Sequence, residues 1–269
     1  MRDDIKTCLI RQPAGLGDVF FLQKAASHLI ANGYRIIWPI ADHYDWVVDY
    51  IKRDGIEYIK ESDDFPYKQY YHHELPILSE KFTFLPFQSA DRILNTSPMK
   101  AKYPLAYMSP VGWQDHFSFR RNEKRERKLR EFLEIKEGEE FIFVNDMLGS
   151  PPDIFHRPMN IQTDLRVIKN NMSMFEKFNV FDYCWVLENA KEIHTVETCF
   201  CYLIEKLNTT DELFMYSRMV NGRNQNTDFS YIDFVYKKKW KTILKREINE
   251  ITGSDLVEEK SYQEYSKDA

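Results

Sequence analysis

The opening segment of the sequence constrains the fold more than any other. Cys8-Leu9-Ile10 is a short apolar run. It leads into Arg11-Gln12-Pro13-Ala14-Gly15-Leu16-Gly17-Asp18, a turn with two glycines. Val19, Leu22, Ala26, Leu29 and Ile30 then recur at helical spacing, and Asn32-Gly33 is a helix stop. Tyr34-Arg35-Ile36-Ile37-Trp38-Pro39 reads as a second strand closed by its proline. Strand, glycine turn, helix and strand in this order make a β-α-β unit with parallel strands and a right-handed crossover. Only 9 glycines occur in 269 residues, so two within three positions mark a backbone with a special need. A ligand can approach such a turn closely, and the next helix aims its free N–H groups there. Asp18 has two readings here: an N-cap, or a member of a site at the turn.

The same alternation continues. The pattern predicts a helix over 18–32, a second over 45–53, a strand at 56–59, an irregular stretch over 61–80 and a strand over 81–87. A short helix follows over 98–108. Residues 120–134 make a highly charged helix with one apolar edge of Leu129, Phe132 and Leu133, read as a solvated connector or as a basic, phosphate-facing surface. After Gly138 the pattern restarts: a strand over 140–146, a loop from Met147 to Pro158, a strand over 165–168, a helix over 180–190, a strand over 192–196, a helix over 199–207 and a strand over 212–216. A polar loop over 221–228, a strand at Phe234–Tyr236, a helix from Trp240 to Ile251 and a polar, disordered tail over 253–269 complete the expectation. This is an α/β chain. It reads as two Rossmann-like α/β/α domains facing a central cleft: residues 1–120, a connector over 121–138, and residues 139–252. Ligands in such folds sit beyond the carboxyl ends of the strands.

Composition excludes several classes. A net charge of −5 argues against a protein built chiefly to hold nucleic acid. The cysteines Cys8, Cys184, Cys199 and Cys201 have no metal-type spacing and read as reduced thiols of a cytoplasmic protein. No leader pattern and no long apolar run is present, so no membrane span is expected. Phe20 stands where a dinucleotide fingerprint needs its third glycine, and neither a P-loop nor a G-x-S-x-G motif occurs. Tyr70-Tyr71-His72-His73-Glu74 lacks a second ligand pair, so it reads as a surface loop rather than a metal site.

Arg11-x-x-x-Gly15-Leu16-Gly17-Asp18 after a first strand resembles the opening of the heptosyltransferase-like glycosyltransferases. Ala190-Lys191-Glu192-Ile193-His194-Thr195-Val196-Glu197-Thr198-Cys199-Phe200 resembles a late segment of the same family. Glu197 stands where the family usually has Asp, and Thr198 where it has Ser or Gly. The resemblance implies the GT-B fold of two Rossmann domains. It also implies a metal-independent, cofactor-free transfer of a sugar from a nucleotide-sugar donor to a glycan or other hydroxyl acceptor, with inversion. Asp18 would be the base, and the segment around Glu197 and Thr198 would meet the donor.

The residues themselves supply chemistry of that kind. Transfer needs a carboxylate to take the acceptor proton, for which Asp18 is the candidate. It also needs groups to steady a leaving diphosphate. Arg157 is the candidate for that diphosphate, against a solvated loop arginine. Asn145 is a donor-binding residue or a turn residue, His194 a site residue or a satisfied core histidine, and Thr198 a site residue or an N-cap. Gly15 and Gly17 allow close approach. Two rivals remain: a catalytically degenerate nucleotide-sugar or glycan-binding protein, and a dinucleotide-dependent oxidoreductase on the same fold.

Overall fold

The computed structural model describes residues 6–150, 153–170, 177–220, 223–224, 232–243, 246–248 and 255–257. The chain divides into two compact units. The first holds residues up to Arg120 together with the segment ending at Val235. The second runs from Arg121 and resumes at Tyr236.

In the first unit β1 (Lys6–Ile10) pairs in parallel with β2 (Tyr34–Ile40) on one side and β5 (Phe82–Leu85) on the other. β3 (Ile56–Lys60) extends the sheet beyond β2, and the short antiparallel β4 (Ile77–Leu78) edges β5. The strand order is therefore β3-β2-β1-β5-β4. Cys8, Leu9 and Ile10 are fully buried, as a parallel strand covered on both faces must be. One face packs Leu9 and Ile37 against Phe65, Tyr71, Phe82 and Phe84.

The expected first helix is two helices, α1 (Leu16–Phe21) and α2 (Gln23–Ala31). The break has a local cause. The buried Gln23 side chain donates to the Val19 carbonyl at 3.1 Å, the acceptor that a continuous helix would offer to the Gln23 N–H. The expected second helix opens as a 3-10 turn, Asp42–Val47, before α3 (Val48–Ile51). α4 (Ala90–Leu94) and α5 (Pro98–Leu105) follow β5, the latter with proline at its first position. Trp113 and Gln114 are buried, and their side chains both donate to the Val235 carbonyl.

The second unit begins with α6 (Glu123–Phe132), the charged helix. One face of it packs within this unit, through Glu126 and Leu129, while Glu123, Lys124, Arg127, Lys128 and Glu131 stay exposed. Arg125 grips the buried Asp182 through Nε and Nη2 at 2.7–3.1 Å, and Arg121 holds Glu126 and Glu188. The sheet is β6 (Phe141–Asn145), β9 (Arg166–Lys169), β10 (Glu192–Val196), β11 (Leu213–Tyr216) and β14 (Lys241–Ile243), in the order β14-β11-β10-β6-β9. All of its pairings are parallel. α7 (Cys184–Asn189) and α8 (Cys199–Ile204) flank β10 in the chain.

Five expectations from the sequence are corrected. The stretch from Met147 to Pro158 is not simply a loop, because β7 (Met147–Ser150) and β8 (Asp153–His156) pair as a hairpin. Phe234–Tyr236 is not a strand, since a helical turn, α9 (Ile232–Val235), occupies that place. The segment after Trp240 is not a helix: Lys241–Ile243 adds to the sheet beside β11, where β-branched Thr242 and Ile243 fit. β15 (Arg246–Ile248) pairs with β16 (Asp255–Val257), so part of the expected tail is a strand. β12 (Met219–Val220) and β13 (Arg223–Asn224) form a small hairpin within the expected polar loop. The rest of that loop and of the tail lies outside the described residues. No helix among the described residues is long and apolar enough to cross a membrane.

Asp182 is the joint of the second unit. Besides Arg125 it accepts from the Asn179 N–H at 2.8 Å, while the Asn179 side chain caps the following turn. Replacing Asp182 with alanine strands these donors, and we expect a loss of about 2 kcal/mol. Chemical denaturation of Asp182→Ala against the parent chain measures it.

Candidate functional site

Each sheet has one place where successive crossovers leave in opposite directions. In the first it lies between β1 and β5, and in the second between β6 and β10. Such switch points open a crevice at the carboxyl ends of the strands, where ligands bind in open α/β sheets. The candidate residues gather at these two places.

At the first switch point Gly15 has a φ of 78° and opens α1, so it occupies the N-cap position that the sequence offered to Asp18. Asp18 lies in the first turn, and its side chain makes no cap bond. A Cβ on Gly15 would lie 2.7 Å from Asp18 Oδ2, so the glycine leaves the carboxylate its room. Gly17 is inside α1. The Asp18 carboxylate is 29% exposed and faces Lys102 Nζ at 3.6 Å, with the Lys102 side chain only 4% exposed. Lys102 also donates to Gln12 Oε1 at 2.7 Å and to the Phe87 carbonyl at 3.3 Å. Gln12 Nε2 in turn reaches the Ala14 carbonyl at 2.6 Å and Asp18 Oδ2 at 3.3 Å. Trp38 Nε1 fixes the Gln12 backbone from β2 at 3.0 Å. A half-exposed carboxylate therefore rests on a buried ammonium and a buried amide.

The second switch point is built on Asn145, the last residue of β6. It is buried, and it donates to Thr195 Oγ1 at 3.0 Å and Thr198 Oγ1 at 3.1 Å. Asn170 Nδ2 donates to Asn145 Oδ1 at 3.0 Å, and the Tyr183 hydroxyl donates to Asn170 Oδ1 at 2.9 Å. Asn145 is thus no simple turn residue, since it ties the end of β6 to that of β10. Thr198 sits at the N-cap position of α8 but makes no side-chain cap bond.

Arg157 is not a solvated loop arginine. It is 1% exposed, donates to the Pro158 carbonyl, and lies over the Tyr216 ring with 4.8 Å to the centroid. Tyr216 also pairs its hydroxyl with His194 Nδ1 at 2.9 Å. His194 Nε2 meets Glu192 at 3.1 Å, and the imidazole stacks on Phe214. A carboxylate only accepts, so Nε2 carries the proton and Nδ1 accepts from Tyr216. His194 is thus a satisfied core histidine, and burial pushes its pKa down against the opposing pull of Glu192. Glu197 is buried beside Arg218, which donates to its carbonyl at 2.8 Å. The structure thus brings Asn145 and Thr198 into contact and joins Arg157 to His194 through Tyr216. Asp18, Gly15 and Gly17 form a separate group in the first unit.

The sequence matches no protein-family model, and no curated protein matches it. Among solved structures the chain is similar to a glycosyl transferase family 9 protein from Veillonella parvula, at 10% identity and a TM-score of 0.45, over 81% of this chain and 82% of that one. It is also similar to an ADP-heptose lipopolysaccharide heptosyltransferase II from E. coli, at 12% identity and a TM-score of 0.45, over 91% of each chain. A third is the iron-containing dodecameric glycosyltransferase TibC from enterotoxigenic E. coli, at 7% identity and a TM-score of 0.40, over 76% of this chain and 56% of that one.

Sequence reasoning missed Lys102, Gln12, Thr195, Tyr216 and Arg218. Lys102 did carry a signal: it lies three residues after Met99 and next to Tyr103, on the apolar side of α5, where a lysine needs a partner. Tyr216 carried none, because an aromatic residue at a strand end is usually core.

Two measurements follow. Gly15→Ala forces a left-handed backbone on a residue with a Cβ and crowds Asp18, at a cost of about 1–2 kcal/mol; thermal or chemical denaturation reads it. For His194 the folded pKa lies below the unfolded value near 6.5. The unfolded chain therefore holds the extra proton between the two values. The contribution is intact above about pH 6.5 and is lost as pH falls through the folded pKa. The urea midpoint of the parent chain should then drop more on acidification than that of His194→Gln.

Proposed function

We propose that this chain is a glycosyltransferase that moves a sugar from a nucleotide-activated donor to a hydroxyl acceptor, with inversion and without a metal. The observation that carries the reading is Asp18. It is an accessible carboxylate at the β1–β5 switch point, backed by the buried Lys102 and Gln12. Two of its oxygen lone-pair positions point at those partners, and others remain for an acceptor hydroxyl. In the proposed step the acceptor oxygen attacks the anomeric carbon and its proton passes to Asp18. The bond from that carbon to the diphosphate oxygen breaks, and the nucleoside diphosphate leaves with the electron pair. Gly15 and Gly17 keep side chains out of the acceptor's way.

The second unit would take the donor. Asn145 and Thr198 offer polar atoms at the β6–β10 switch point, and Glu197 would bind donor hydroxyls. Arg157 and the half-exposed Arg218 place positive charge near the same strand ends for the leaving diphosphate. His194 supports this arrangement through Tyr216. The burial of Glu197 and Arg157 favours a second reading, a nucleotide-sugar or glycan-binding protein that does not turn over.

A thermal-shift series with UDP, GDP, ADP, CMP and NAD comes first. The transferase reading expects stabilisation by a nucleoside diphosphate, and stabilisation by NAD alone would sink it. Turnover with the matching donor should survive EDTA. Asp18→Asn should lower kcat by about 10²–10⁴-fold with little change in donor KM. Undiminished turnover in that variant removes Asp18 as the base, and binding without turnover in the parent chain selects the binding protein.

A further inference from the structure

The other side of the β1–β5 switch point carries a feature that the proposed transfer does not use. Arg11 follows β1 and Arg92 lies in α4. Their guanidinium groups converge on one hydroxyl: Arg11 Nη2 donates to Ser89 Oγ at 2.9 Å, and Arg92 Nη2 donates to the same oxygen at 3.1 Å. Ser89 is buried. Accepting twice fills both of its lone pairs and leaves its own O–H as a donor still to be matched. No acceptor for that O–H is found among the described residues.

Arginines that close are normally bridged by a carboxylate. Among the described residues neither Arg11 nor Arg92 has one within 4 Å. The nearby Glu61 is engaged by the Tyr71 hydroxyl at 2.9 Å, and Glu74 acts on Arg11 only through its field. Arg11 is held in place by the Tyr71 carbonyl at 2.9 Å and by the Phe84 ring, while its Nε is buried without a partner. Burial, and after it the charge of Arg92, push the Arg11 pKa down, whereas Tyr71, Glu61 and Glu74 oppose this. Two cations and a hydroxyl donor thus meet beyond the carboxyl ends of β1 and β5, and among the described residues the acidic groups act on Arg11 only from a distance. Such a donor set matches a tetrahedral or planar oxyanion.

The geometry points to an oxyanion-binding site formed by Arg11, Arg92 and Ser89, which takes a phosphate monoester or a carboxylate of a small molecule. On the reading that the first unit takes the acceptor, the acceptor carries that group.

The test is a titration of the full chain, without donor, at constant ionic strength held with sodium chloride. The probes are inorganic phosphate, glucose 6-phosphate and glucuronate, with glucose as the uncharged control. Saturable binding of at least one anion and none of glucose is expected. Arg92→Gln and Ser89→Ala should each weaken it about tenfold, the size of one hydrogen bond to a charged group. Lys128→Gln, an exposed basic change elsewhere, should leave it unaltered. Tighter glucose 6-phosphate identifies a phosphate ester and tighter glucuronate a carboxylate, and either supports the site. No saturable binding of any anion, or equal binding by the parent chain and both variants, overturns it. The titration needs no turnover, so failure of the transferase reading leaves its result intact, and the converse also holds.

Discussion

Parallel strands buried on both faces leave accessible polar groups mainly to their ends, and that constraint governs where the candidate residues of this chain lie. Cys8–Ile10 of β1 and Phe141–Val144 of β6 are apolar and buried, up to the polar residues that come next. Chemistry is thereby forced to Arg11, Gln12 and Asp18 in one unit and to Asn145, Thr195 and Thr198 in the other. Where the direction of crossover reverses, no connecting chain covers the strand ends, and these side chains gather there.

The two ends are put to different use. In the first unit charge reaches the surface on buried supports: Asp18 rests on Lys102 and Gln12, and Arg11 rests on Tyr71 and Phe84. In the second unit the polar groups are spent on each other. Tyr183, Asn170, Asn145, Thr195 and Thr198 form a continuous hydrogen-bonded chain that joins the ends of neighbouring strands. A buried network of this type fixes strand register because a partly satisfied version is costly. The first end thus leaves charge accessible, and the second ties its polar groups into the fold.

Strand and helix order was largely legible, because burial imposes a period on the sequence. The opening β-α-β unit is visible in Cys8–Ile10, Gly15, the spacing of Val19 to Ile30, and Ile36–Trp38. What escaped was set by particular contacts, some local and some distant in sequence. The break at Leu22 depends on where the Gln23 amide finds an acceptor. The strand at Lys241–Ile243 depends on the open edge of β11, since its residues suit either structure locally. The hairpin from Met147 to His156 looked like a loop because its glycine and prolines are turn signals wherever they occur. Asp18 could be named from its place after the glycine turn. Lys102, on a short helix far along the chain, could not be connected to it, because a charge there does not announce its partner.

The return of the chain to its first unit at Ile232–Val235 bears on how the protein is made. The Val235 carbonyl is the acceptor for the buried side chains of Trp113 and Gln114, which are synthesised more than a hundred residues earlier. On the ribosome the first unit therefore emerges without its final piece and must wait while every strand of the second sheet but β14 is translated. Completion of the two units is coupled in time even though each has its own core. A stalled or prematurely terminated nascent chain would expose that seam to chaperones and proteases.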